Sequence, residues 1–263
     1  MSNRLTLAEA LARLPGAVDD TSVAAIGQTS TSAVYRLRLN GSDVVLRIGD
    51  RDADTRAALA IQRSAAERGL SPAVLLAAPD AGLIVTAFAA GQALMTRELH
   101  APATLQAIGR LLRRLHSGAP TGHRLDLLAA VQRYVANCPA AVQPLAERIA
   151  TEIREQIASV TPLSLVPCHN DPVAANFLVG SALQLIDFEY AADNDPRFDL
   201  AVVSAHHALD SDARRRLLRA YAPDDIDCFA ADFAIWESIY RGLHVLWASA
   251  RGPVPPTSRC EVP

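Results

Sequence analysis

The chain has 263 residues, half of them apolar and a fifth charged, with a formal net charge of −3. Such a composition belongs to a globular protein of one large or two modest domains, and it argues against a general nucleic-acid or anionic-membrane surface. No apolar run reaches the roughly 18 residues that span a bilayer, charges break up the Met1–Pro15 stretch where a signal peptide needs an apolar core, and Cys138, Cys168, Cys228 and Cys260 are too dispersed for a zinc site or a disulfide framework. A cytoplasmic protein with reduced, structural cysteines and a small-molecule partner is expected.

Taken in chain order, Ser22 to Phe88 reads as strand, helix and strand again. Ala33–Leu39 and Asp43–Ile48 flank Asn40-Gly41, a dipeptide that favours a tight hairpin turn. From Asp54 to Arg68 the chain is alanine-rich, with Leu59, Ile61 and Ala65 on neighbouring turns and Gly69 placed to end a helix. Val74–Ala77 and Leu83–Phe88 are short apolar runs separated by Pro79-Asp80-Ala81-Gly82, which has turn chemistry throughout.

After Ala89-Ala90-Gly91 the pattern becomes helical, with Leu105, Ile108, Leu111, Leu112 and Leu115 at helical spacing and further helices over Leu125–Ala136 and Ala141–Ala158. Two short strands, Phe177–Val179 and Leu183–Ile186, interrupt the helices, which resume near Phe198 and run to about Ala250. The tail from Gly252 holds four prolines and reads as disordered.

The chemistry concentrates around that island of strands. His169-Asn170-Asp171, four intervening residues and Asn176 are followed by Asp187-Phe188-Glu189 at the end of an apolar strand. This fits the H-x-D-x-x-x-x-N loop and downstream D-F-x of phosphoryl-transfer enzymes, with Glu189 where the template has Gly. An acid on the loop can face an acceptor hydroxyl, while Asn176 offers a neutral oxygen and Asp187 a full charge to a hard cation.

The runs Cys168–Leu178, Leu185–Ala192 and Asn194–Ala201 resemble the choline kinase and aminoglycoside phosphotransferase superfamily, with Asp187-Phe188-Glu189-Tyr190 similar to the D-F-E-Y segment of its choline kinase-like members. Bacterial thiamine kinases look similar too. The resemblance implies an α/β (α+β), protein-kinase-like two-lobed fold: a β-rich nucleotide-binding lobe with one main helix over residues 1–90, and a largely helical lobe over 91–263. It implies ATP and Mg²⁺ as cofactors, Asp171 as catalytic base, Asn176, Asp187 and Glu189 at the metal, and His169 and Asp199 as structural support. His116 matches a structural L-x-x-L-H stretch. Thr29, Ser30, Thr31 and Ser32 fall in the phosphate-covering hairpin, Arg47 at the phosphate-binding basic position, and Thr86 and Phe88 in the adenine hinge.

Two departures stand out. Ala58 occupies the position where relatives usually carry the acid that pairs with the basic strand residue, so Arg47 needs another partner, such as Asp54, or phosphate alone. The late helix offers Trp236, Glu237, Tyr240 and Trp247 to a substrate, on a face that equally suits a packed core. In the same helix, Arg241 would repel choline if it faced the pocket. Choline-, ethanolamine- and thiamine-type alcohols stand ahead of aminoglycosides, and a non-catalytic pseudokinase remains an alternative. A protein kinase is disfavoured because only eleven residues separate Asp187 from Asp199, too few for a peptide-docking loop. Three side features read as structural. His206-His207 cannot easily share one metal ion because adjacent helical residues diverge by about 100°, Arg214-Arg215-Arg216 reads as a solvated helix face, and Cys168 reads as a packing residue.

Overall fold

The computed structural model describes residues 4–28, 32–49 and 53–251. Thr29, Ser30 and Thr31 of the expected phosphate-covering stretch and the proline-rich tail lie outside the described residues, as does the side chain of Asp54.

A short helix α1 (Leu7–Leu11), fixed by a Thr6/Glu9 capping box, precedes an antiparallel sheet. The sheet runs β1 (Val18–Gln28), β2 (Ser32–Leu39), β3 (Ser42–Gly49), then, after helix α2 (Ala53–Glu67), β4 (Val74–Ala78) and β5 (Leu83–Ala87). Its spatial order is β1-β2-β3-β5-β4. The expected hairpin forms at Asn40-Gly41, both with positive φ, the conformation that suits the twist of the flanking strands. Gly69 ends α2 and Gly82 ends the Pro79–Ala81 turn, each left-handed as glycine allows.

Strand alternation gives the sheet two faces. Leu37, Val44, Leu46, Ile48, Leu83 and Val85 bury one against Leu5, Ala10 and Leu14 of the α1 region. The opposite face carries the in-register positions Val34, Arg47 and Ile84, with Val45 beside Thr86. That face looks into the cleft.

Beyond the sheet come β6 (Gln92–Ala93), α3 (Thr96–Leu99), α4 (Pro102–His116), α5 (Leu127–Asn137) and α6 (Gln143–Ser159). The strand island holds β7 (Val166–Cys168), β8 (Phe177–Val179), β9 (Leu183–Leu185) and β10 (Ala192–Asn194), followed by α7 (Pro196–His206), α8 (Ser211–Tyr221), α9 (Ile226–Ala230) and α10 (Phe233–Ala250). β8 and β9 pair as expected and take β6 as an edge strand, and β7 pairs with β10 in a separate two-stranded ladder that the sequence does not announce. The helical core includes Ala58, Ile61, Ala65 and Leu70, so α2 belongs to the N-terminal region by sequence but packs its buried face with the helices. α4 and α8 approach so closely at Gly109 that an added Cβ would lie 2.8 Å from the Leu217 carbonyl. Among the described residues, no helix is long and apolar enough to cross a membrane.

Candidate active site

The site grows from the end of β7, where the chain turns out of the β7–β10 ladder. Asn170 adopts a left-handed conformation, which Asn tolerates better than most residues. Its amide donates to the carbonyls of Tyr190 (2.9 Å) and Ala192 (3.2 Å), and its Oδ1 accepts from Asn194 Nδ2 at 2.8 Å. This single side chain stitches the His169–Asn176 loop to the segment after Asp187.

Asp199, in the first turn of α7, is fully buried. Its carboxylate accepts the backbone N–H groups of His169 (2.8 Å) and Asn170 (2.7 Å) and lies 3.0 Å from His116 Nε2. His116 Nδ1 in turn meets the Tyr221 hydroxyl at 2.8 Å. A buried carboxylate is tolerable only with such partners, and here they clamp the loop from beneath. His169 is buried, which lowers its pKa; its Nε2 lies 2.8 Å from the Ile186 carbonyl and its ring edge meets Phe188. The neutral ring fixes the strand end just before Asp187.

Asp171 sits in this frame largely out of solvent. Burial, then the charge of Asp187, raises its carboxyl to about 7, against a lowering hydrogen bond from Asn176. A carboxyl poised near neutrality is matched to taking a proton. Asn176 donates Nδ2 to the Asp171 carbonyl (2.8 Å) and carboxylate (3.1 Å), which leaves its Oδ1 as the atom for a cation. Asp187 is exposed, left-handed and, among the described residues, accepts no side-chain hydrogen bond. Two hard oxygens of this kind fit Mg²⁺.

Glu189, expected at the metal, meets the sheet in the structure. Its Oε2 accepts from Arg47 Nη2 at 2.8 Å, and the Ser32 hydroxyl lies 3.5 Å away. Arg47 therefore does have an acid partner, contributed by the D-F-E-Y segment, while Ala58 is buried in the core. Thr86 and Phe88 lie at the sheet edge of the cleft, with the Arg36 guanidinium 4.0 Å above the Phe88 ring.

A cavity of about 280 Å³ opens directly onto Asp171, walled by Tyr134, Tyr190, His206, Tyr240 and Trp247 among others. The expected substrate residues divide. Tyr240 lines this cavity, its hydroxyl 2.6 Å from His206 Nδ1. Trp236 and Glu237 do not: Trp236 is buried against Phe198, and Glu237 is buried, accepting from Ser204 and standing 3.0 Å from Arg214. Their assignment to the substrate is corrected by helix rotation, which turns the first turns of α10 into the core. Arg241 points away as well, 3.8 Å from Glu237, and is not among the cavity walls.

Sequence reading missed Tyr134, Tyr190, His206 and His244 as cavity residues, and it missed His207 as a support. His207 Nε2 accepts the Ala174 N–H at 3.0 Å, holding the middle of the Asp171–Asn176 loop, and burial lowers its pKa to about 4. A helical histidine pair carries no signal for which ring faces a loop. Cys168 is a buried free thiol whose pKa burial pushes up, leaving it unreactive.

Residues 22–231 match the model of the phosphotransferase enzyme family. The thiamine kinase of Salmonella paratyphi B is 34% identical over 117 residues, which is 44% of this chain and 41% of the relative, so the match spans about two fifths of that protein's length. A solved choline/ethanolamine kinase family protein from Mesorhizobium loti is 29% identical, with a TM-score of 0.66 over 86% of this chain and 78% of its own. An amicoumacin kinase solved with AMP-PNP and Ca²⁺ shares the fold at 14% identity, with a TM-score of 0.67 over 93% and 91% of the two chains. The family match covers most of the chain, and the chain belongs to the phosphotransferase enzyme family.

Proposed function

We propose that the protein is a kinase that transfers the γ-phosphoryl group of ATP to the hydroxyl of a small alcohol. The observation that carries this reading is Asp171, a carboxyl that lines the cavity and is raised to about 7 by burial and by the charge of Asp187. Asp171 accepts the hydroxyl proton as the acceptor oxygen bonds to phosphorus and the bond to ADP breaks. Asn176 Oδ1 and Asp187 would hold Mg²⁺, which supplies charge neutralisation to the phosphates. Arg47, held by Glu189, faces the same cleft and suits a phosphate oxygen. Residues 1–90 would form the nucleotide-binding lobe and 91–263 the acceptor lobe, working in the cytoplasm.

Choline-, ethanolamine- and thiamine-type alcohols are favoured over aminoglycosides. The D-F-E-Y segment and the likeness to thiamine kinases support that order. So does the cavity lining, in which Asp171 is the one carboxylate among the described residues, too few for a polycation. The ion pair of Arg47 with Glu189 gives the arginine an acid partner despite the alanine at position 58, which supports the catalytic reading over the non-catalytic one. The test is substitution: Asp171→Ala and Asp187→Ala should each abolish ADP release while melting temperature stays within a few degrees, and full turnover in either would contradict the assignment.

A further inference from the structure

Next to the acceptor cavity lies a larger chamber of about 620 Å³ that shares Arg133, Tyr134, Tyr190 and Trp247 with it. Neither Asp187 nor the hinge residues Thr86 and Phe88 line it, so it is not the adenine end of the cleft. Among the described residues, Arg47, Arg124, Arg133 and Arg251 line it, against the two carboxylates Asp126 and Glu189. Both acids are engaged: Glu189 with Arg47, and Asp126 as the N-cap of α5, accepting the Ala129 N–H at 2.9 Å. Among the described residues, Arg124, Arg133 and Arg251 form no ion pair. Three guanidinium groups around one concave space favour an anion and disfavour a cation.

The aromatic wall points the same way. Trp247, the residue best able to hold a quaternary ammonium, already carries the Arg251 guanidinium 4.1 Å from its ring and His244 stacked at 5.7 Å. A purely cationic alcohol would therefore meet positive charge on the side facing the chamber.

We propose that the chamber binds an anionic group, carboxylate or phosphate ester, carried by the acceptor itself. The acceptor hydroxyl then faces Asp171 while its anion lies among Arg124, Arg133 and Arg251. This rests on the phosphotransferase reading and reorders its acceptors: choline, ethanolamine and thiamine carry no anion, so alcohols that also bear a negative charge are placed ahead of them.

Matched acceptor pairs test it: ethanolamine against serine for a carboxylate, and glycerol against glycerol 3-phosphate for a phosphate ester. In coupled ADP release the charged member of at least one pair should show kcat/KM about tenfold higher, chiefly through KM. That advantage should shrink to about twofold in Arg124→Gln and Arg133→Gln, and in the wild type as ionic strength rises. Equal use of both members in each pair, or an advantage untouched in both variants, would overturn the proposal. A binding arm separates this from failure of the kinase reading. Tryptophan fluorescence of Asp171→Asn titrated with inorganic phosphate and glycerol 3-phosphate should show a saturable change that Arg133→Gln weakens, even if no acceptor in the panel is phosphorylated. No saturable change would sink the chamber and leave the phosphotransfer reading standing.

Discussion

Asp171 has a carboxyl raised to about 7 by burial and by Asp187, and two consequences follow. Activity needs the ionised form, so kcat/KM should fall as pH drops below about 7, with the inflection moving lower when Mg²⁺ offsets the Asp187 charge. The folded state also holds that proton more tightly than the unfolded chain does, so between about pH 4 and 7 this group's contribution to stability declines as pH rises. Asp171→Asn should therefore be inactive yet more stable than wild type at pH 8 by a few kcal/mol at most, as read by chemical denaturation; equal stability would mean that the carboxylate is not held at a cost. His207 works in the opposite sense. Its pKa is lowered to about 4, so its contribution is present above about 6.5 and lost as pH falls through 4, where the folded ring must also take a proton. His207→Gln, which keeps an acceptor for the Ala174 N–H, should lose less stability than wild type between pH 6.5 and 4.

At the scale of elements, the α4–α8 contact is a tight constraint near the site. It holds His116 and Tyr221 in the chain that reaches Asp199. An added Cβ at Gly109 would lie 2.8 Å from both Ala220 Cβ and the Leu217 carbonyl, and backbone cannot yield as a side chain can. Gly109→Val should cost about 1–3 kcal/mol and lower the melting temperature by several degrees. Elements with strong local signals were legible in the sequence: Asn40-Gly41 gave the hairpin away, and the leucine spacing of α4 its helix. β7 and β10 were not, because Val166-Pro167-Cys168 and Ala192-Asp193-Asn194 lack the apolar runs about a Gly-Ser turn that mark β8 and β9, and they pair where Asn170 and Asn194 bring the segments together. The aromatic stripe of α10 was ambiguous for a related reason. Trp236 and Tyr240 share a face by spacing, and only the packing of α7 decides that one is core and the other cavity wall.

Across the whole molecule, the sheet and the helical region meet at Arg47 and Glu189. These residues are 142 positions apart, and the arginine's partner therefore lies far from α2, where Ala58 stands. The motif from His169 to Asp199 was readable because its residues are local in sequence; this pair was not. Both side chains are mostly buried, so Glu189→Ala should leave Arg47 without its anchor, raising the KM for ATP about fivefold while lowering stability by about 1 kcal/mol. An unchanged KM would show that phosphate alone orients Arg47.

The most direct measurement is coupled ADP release with Mg²⁺ and ATP across choline, ethanolamine, thiamine, aminoglycosides, sugars and nucleosides, with the charged alcohols serine and glycerol 3-phosphate included. The account predicts that at least one alcohol stimulates release and that Asp171→Ala abolishes the stimulation. Nucleotide binding with no stimulation by any acceptor, or stimulation that survives in Asp171→Ala, would contradict it.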